Sequence, residues 1–172
     1  MIEVVLRAVR VDVGTSTPLL LLEEVAGERV LPIFIGAPEA AAIAYALQGV
    51  ESPRPMSHDL LGHVISALGA KLFAVEITEL SDNTFFASLR LLRSGQEITV
   101  SSRPSDAVAL ALRVGAPILV SDDLMASEGK VMQLTYDEDD EEYVELDTPD
   151  EADLVEQLRA FLDHVRPEDF GT

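Results

Sequence analysis

Three segments that read as helix starts each carry a carboxylate: Glu39, Asp59 and Asp106. Two of these starts carry a second reactive group. His58 precedes Asp59, and Arg103 precedes Pro104-Ser105-Asp106. If the three starts converge, the carboxylates could hold Mg²⁺ or Mn²⁺ through oxygen ligands. His58 could then act as a general acid or base. Arg103, helped by Ser105, could hold a phosphate, because a guanidinium matches phosphate oxygens in pairs. Free N–H groups at the helix starts would add to anion binding. Such a set suits phosphodiester hydrolysis with metal assistance. The plain alternative is capping. Acids near a helix N-terminus gain about 0.3–1 kcal/mol from the macrodipole, and Ser or Asp satisfies free N–H groups there. Spacing alone does not say whether the starts meet.

Other chemistry is thinly represented. The chain has no P-loop, dinucleotide glycine fingerprint, nucleophile elbow or His-Glu-x-x-His helix, so no organic cofactor is expected. With no Cys there is no thiolate ligand or nucleophile, which fits a reducing, cytoplasmic setting. The three histidines are His58, His63 and His164, and the first two, five apart, do not share a helix face. Arg90 and Arg93 flank a predicted hairpin end where they could touch a phosphate backbone; with Arg113 they read more simply as solvated charges.

The elements that must position these residues follow from apolar spacing. Ile2 to Val13 is Val-rich and partly alternating, a strand; Leu19 to Leu22 and Val30 to Ile35 read as two more. Pro32 favours an edge position or a bulge, since it cannot donate to a ladder. Gly36-Ala37-Pro38 opens a helix to about Gln48 that is apolar nearly all round and should be buried. Ser57 looks like the N-cap of a second helix, with Leu60, Leu61, Val64, Ile65 and Leu68 on one face and Gly69 after its end. Leu72 to Leu80, Phe85 to Leu92 and Ile98 to Ser101 form a meander. Pro104 to Val114 is a third helix, Ile118 to Val120 a short strand, and Ser121 caps a short helix ending near Gly129. Glu39-Ala-Ala-Ala-Ile-Ala-Tyr resembles Asp106-Ala-Val-Ala-Leu-Ala-Leu, each after three strands, which suggests a weak βββα repeat. The fold class is α+β, a mixed or antiparallel sheet with packed helices.

Charge divides the 172-residue chain. The formal net charge is −19. Residues 1–132 hold 16 acids and 10 bases, a net of −6; residues 133–172 hold 15 acids and 2 bases, a net of −13. The expected organisation is a folded domain over 1–132, an acidic linker over 133–150, and an amphipathic C-terminal helix and tail over 151–172. The acidic run Asp137 to Glu142 reads as a solvated linker, or as a decoy that competes with nucleic acid. The charge argues against a protein that coats nucleic acid. No apolar run reaches the roughly 18 residues of a membrane span, and Met1-Ile-Glu-Val-Val does not read as a leader.

Leu31-Pro32-Ile33-Phe34-Ile35-Gly36, Glu39-Ala40, Ser57-His58-Asp59-Leu60-Leu61, Asp82-Asn83-Thr84-Phe85-Phe86-Ala87 and Arg103-Pro104-Ser105-Asp106-Ala107-Val108-Ala109-Leu110-Ala111 together resemble the bifunctional nuclease domain family. The likeness runs over about residues 2–128, and the C-terminal Leu154 to Phe170 is similar to the extension of actinobacterial members. The resemblance implies DNase and RNase activity of the kind attributed to plant members. The matching polar positions are Glu39, His58, Asp59, Arg103, Ser105 and Asp106. Phe34 and Phe86 depart from the family's frequent Trp and Tyr. The expected function is therefore hydrolysis of DNA or RNA phosphodiesters, with His58, Asp59, Asp106 and Glu39 catalytic and Arg103 and Ser105 on phosphate. Glu39, Asp59 and Asp106 are the expected metal ligands. The alternatives are a non-catalytic oligomeric interaction module and a small-anion binder. The apolar first helix and the proline-bearing strand point to a homodimer or higher homo-oligomer.

Overall fold

A computed structural model describes residues 1–12, 14–50 and 52–131. The expected acidic linker and C-terminal helix lie outside the described residues. The first half opens with β1 (Ile2–Asp12), β2 (Thr17–Glu24) and β3 (Arg29–Phe34), an antiparallel meander, followed by α1 (Ala37–Leu47). After α2 (Ser57–Ala67) the pattern repeats: β4 (Ala70–Ser81), β5 (Thr84–Arg93) and β6 (Gln96–Ser102), then α3 (Pro104–Val114). The chain continues through β7 (Ile118–Val120), α4 (Asp122–Glu128) and β8 (Lys130–Val131). The fold is α+β, and the βββα order occurs twice along the chain.

The two meanders form one eight-stranded sheet, ordered β6-β5-β4-β7-β1-β2-β3-β8. The join is β7. Its three residues pair parallel to β4 (Val75↔Ile118) and antiparallel to β1 (Ile2↔Val120). Three residues of a continuous apolar strand, Ile-Leu-Val, thus weld two halves that could otherwise separate. Pro32 sits opposite Leu21 of β2, beyond Val30, where the two-residue β8 stops. Its missing donor falls on an uncovered stretch of edge, as proline requires.

Buried apolar surface concentrates under α3. Ala107, Val108, Ala109, Leu110 and Ala111 are all buried, because α3 contacts α1 on one side, α2 on the other and the sheet below. Small side chains let these neighbours approach closely. Gly115 ends the helix in the left-handed region (φ +67°), where glycine has no Cβ cost.

Three expectations about the helices need correction. The spacing predicts a first helix buried throughout, yet only Ala40 and Ile43 are fully buried and Leu47 is exposed. One side of α1 rests on β1, β2 and α3, and the other positions from Ala41 to Ala46 are half-buried. On α2 the buried positions are Gly62 and Ile65, which share a face with His58 (i, i+4, i+7). Of the predicted apolar stripe, Ile65 lies on that face and the rest lies to one side of it. Leu60 and Leu68 are 54% and 59% exposed, and Leu61 and Val64 are also exposed. The reason is close packing at Gly62, where an added Cβ would lie 3.3 Å from Val114 Cγ1 of α3. Contact through a glycine selects that face over the wider apolar one. Ser57 is also not the cap. It is the first helical residue, and the cap position belongs to Met56.

Candidate functional site

The three helices begin on one side of the domain, and each places an acid at its third position: Glu39, Asp59 and Asp106. At that position a carboxylate can reach back to the cap residue's N–H. Asp59 does so. The Met56 N–H donates to Asp59 Oδ2 at 2.9 Å. Glu39 and Asp106 instead reach Arg103. Capping therefore accounts for Asp59 and leaves the other two acids to a different role.

Arg103 is the cap residue of α3, in extended backbone (ψ 147°), which carries its side chain clear of the helix. Its Nε donates to Asp106 Oδ2 at 2.7 Å and its Nη2 to Asp106 Oδ1 at 3.1 Å, a two-pronged pair. Its Nη1 donates to Glu39 Oε1 at 2.8 Å, across 64 residues of sequence. A guanidinium has five N–H donors. Two of them make no bond to the described residues, and the side chain is 65% exposed. Asp106 first, then Glu39, holds the Arg103 guanidinium even more firmly protonated than usual.

His58 completes the group. Its Nε2 lies 3.2 Å from Asp106 Oδ1, the oxygen that Arg103 Nη2 also contacts. Imidazole and guanidinium are thus separated by one carboxylate oxygen. Arg103 hydrogen bonding holds Asp106 below the usual carboxylate range; burial opposes this, and His58 adds to the lowering. An ionised carboxylate only accepts hydrogen bonds. In neutral His58 the proton therefore belongs on Nε2, which leaves the Nδ1 lone pair free. Asp106 fixes the tautomer that a general base needs.

Glu39 depends on a glycine for its reach. A Cβ at Gly36 would stand 2.3 Å from Glu39 Oε2, so any larger residue there would push the carboxylate off its present position. Ser105 sits in the first turn of α3 at only 6% exposure, which leaves it little surface to offer a phosphate.

Asp59 belongs to a neighbouring network. Arg113 Nε donates to Asp59 Oδ1 at 2.6 Å, its Nη2 to the Ala42 carbonyl at 2.9 Å, and its Nη1 to the Ala109 carbonyl at 2.9 Å. The Met56 N–H first, and Arg113 after it, keep Asp59 below the ordinary carboxylate range against the cost of burial. Arg113, which the sequence presents as a solvated charge, is a nearly buried clamp that touches α1, α2 and α3 together. A signal for this exists in the sequence: Asp106, Leu110 and Arg113 share one face of an otherwise apolar helix (i, i+4, i+7). Arg90 is not available to a phosphate backbone in the expected way either. It pairs with Glu76 at 2.9 Å and Glu97 at 2.6 Å and lies over the Phe73 ring.

Among the described residues no group of three His, Asp or Glu side chains is placed to hold a metal ion. Glu39 spends one oxygen and Asp106 both on Arg103, and Asp59 is committed elsewhere. As arranged, these residues do not fit a resident divalent ion. Beside the cluster lies a cleft of about 470 Å³, with His58, Asp59, His63 and Arg113 in its wall. No described helix is long and apolar enough to cross a membrane.

Residues 20–133 match the bifunctional nuclease domain. The chain is 48% identical over 168 residues to an uncharacterized protein of Mycobacterium tuberculosis, covering 98% of this chain and 97% of that one. It is 29% identical over 154 residues to a bifunctional nuclease of Oryza minuta, covering 84% of this chain and 46% of that protein. It is 27% identical over 169 residues to bifunctional nuclease 2 of Arabidopsis thaliana, covering 88% and 51%. The chain spans about half the length of these plant nucleases.

The depressed Asp106 pKa has a measurable consequence. Its ion pair contributes fully at neutral pH and is lost as pH falls from the ordinary Asp value of about 3.9 through the lower folded value. Carbon-13 NMR of the Asp106 carboxyl should show titration below that ordinary value in the native protein. Arg103→Ala should move it upward. An unchanged midpoint in the variant would mean that Arg103 does not hold this carboxylate in solution.

Proposed function

The chain belongs to the bifunctional nuclease domain family, and from that premise we propose that it hydrolyses phosphodiester bonds of DNA or RNA at the Arg103–Asp106–His58 cluster. The observation that carries this reading is the shared Asp106 Oδ1, which ties an exposed arginine to a histidine of fixed tautomer. The two free N–H donors of Arg103 hold non-bridging oxygens of the scissile phosphate. His58 Nδ1 takes a proton from the attacking water as its oxygen bonds to phosphorus. The P–O ester bond breaks, and the protonated imidazole returns the proton to the departing oxygen. Asp106 stabilises the imidazolium between these two transfers. Glu39 orients Arg103 from the opposite side. Asp59 and Arg113 keep α2, and with it His58, in register with α3.

Mg²⁺ or Mn²⁺ enters this proposal only as a variable of the assay, and no step is routed through it. Purified protein is incubated with labelled DNA and RNA strands, with EDTA or with added Mg²⁺ or Mn²⁺. His58→Ala is expected to lower the cleavage rate about 100- to 10,000-fold, the usual span for losing a general acid–base group. Arg103→Ala should lose activity on a similar scale, with Arg103→Lys recovering part of it. Cleavage that survives both alanine variants would refute the reading and favour a non-catalytic module.

The exposed stripe Leu60, Leu61, Val64 and Leu68 on α2 supports a homodimer or higher homo-oligomer, since clustered apolar side chains favour cover. Light scattering after size exclusion should give a multiple of the chain mass for the native protein. The pair Leu60→Glu and Val64→Glu should give the single-chain mass with an unchanged circular dichroism spectrum. A monomeric native protein would dispose of this assignment.

A further inference from the structure

Beyond His58, Asp59 and Arg113, the lining of the cleft beside the cluster has no part in the steps above. It is about 470 Å³, within the ~300–1,000 Å³ range of pockets that take small ligands. One wall comes from the segment after α1, with Val50, Ser52 and Pro55; the other comes from α2 and the end of α3, with Ser66 and Val114. His58 is common to the cleft and to the cluster, and its side chain is 15% exposed.

The chemistry of the lining is specific. Val50, Pro55 and Val114 offer apolar surface on both sides, suited to a flat ring. The Ser52 and Ser66 hydroxyls make no hydrogen bond to the described residues and can donate or accept. Asp59, the carboxylate among the described lining residues, is already matched by Arg113 and the Met56 N–H, so it adds no unpaired negative charge. A site meant for a bare anion would present an exposed cation; Arg113 bonds protein acceptors on three elements and its side chain is only 10% exposed, against 65% for Arg103. The lining fits a neutral, partly apolar, hydrogen-bonding group that is joined to an anion outside the cleft. The anion's place is Arg103, one carboxylate oxygen beyond His58.

We infer that this cleft is a nucleoside subsite, which holds the base and sugar attached to the phosphate that Arg103 binds. The inference rests on the proposed phosphodiester site and adds the part of the substrate that fixes its position. A cleft of this size accepts one unstacked nucleoside, not a duplex, so the nucleotide next to the scissile bond must leave its stack to enter.

The test is a calorimetric titration of the full chain with three probes: inorganic phosphate, adenosine, and adenosine 3′- or 5′-monophosphate. Ser66→Trp and Val50→Trp fill the cleft from opposite walls and leave the cluster untouched. The native protein should bind at least one monophosphate ten-fold or more tightly than phosphate. Both tryptophan variants should reduce that affinity to the level of phosphate, while phosphate affinity stays unchanged. Arg103→Ala should weaken phosphate and monophosphate together. Monophosphate binding no tighter than phosphate, or unaffected by either tryptophan, would overturn the subsite. The same variants in the cleavage assay separate the two proposals. Cleavage with an unchanged KM in both tryptophan variants defeats the subsite and leaves the nuclease reading standing. Absence of cleavage, with cleft-dependent monophosphate binding intact, does the reverse.

Discussion

One guanidinium must satisfy two carboxylates that come from opposite halves of the sheet. Arg103 meets Asp106 on its own helix and Glu39 on α1, and Asp106 passes the contact on to His58 of α2. Every element of the fold that bears on the site serves to bring these helix starts together. Two carboxylates side by side would repel each other, and a lone arginine at a helix N-terminus would oppose the positive end of the macrodipole. Each group makes the other acceptable where it stands. What remains outward is a pair of Arg103 N–H donors, beside a partly exposed imidazole whose tautomer is set by its neighbour.

The scaffold beneath this pairing is the doubled βββα unit. Glu39 and Asp106 occupy the same position in the two units, the third residue of the helix after each meander. When β7 joins β4 to β1, the two helices lie side by side and their equivalent acids face a common partner. Arg113 then fixes the remaining degree of freedom. By bonding Ala42 of α1, Asp59 of α2 and Ala109 of its own helix, it sets the spacing of all three. Hydrogen bonds through all three nitrogens offset the cost of burying the Arg113 charge, and removal of Asp59 would leave that charge without its partner. Arg113 therefore reads as a positioning residue and Arg103 as the contact residue, although both are arginines close to helix acids.

Much of this is legible in the sequence, and the limits have physical causes. Strand alternation and the turn residues Asp82-Asn83 and Ser94-Gly95 locate the second meander, because periodicity and turn geometry are local properties. The helix starts are legible through proline and the acids that follow it. The convergence of those starts is not. It depends on a three-residue strand pairing in two directions, and no periodicity encodes a pairing partner. The burial of α2 escapes for a related reason. Its widest apolar stripe, Leu60 to Leu68, looks like the core face, but Gly62 permits a closer approach to α3 than any of those leucines could. Capping describes all three acids equally well in the sequence, and only the Arg103 contacts separate Glu39 and Asp106 from Asp59. The net charge of −19 also changes meaning with position. Residues 1–132 carry a net of only −6, and Arg103 is an exposed cation at the helix starts, which suits a compact phosphate site better than broad coating of nucleic acid.

The central claim is that Arg103, Asp106 and His58 act as one unit through a shared oxygen. A double-mutant cycle in single-turnover cleavage tests it most directly, with Arg103→Ala, His58→Ala and the double variant measured on one labelled strand. Groups that function together lose little more when both are removed than when the more damaging one is removed. The double variant should therefore cleave within about three-fold of the slower single variant. Losses that multiply, with the double variant slowed by the product of the two single effects, would contradict the account.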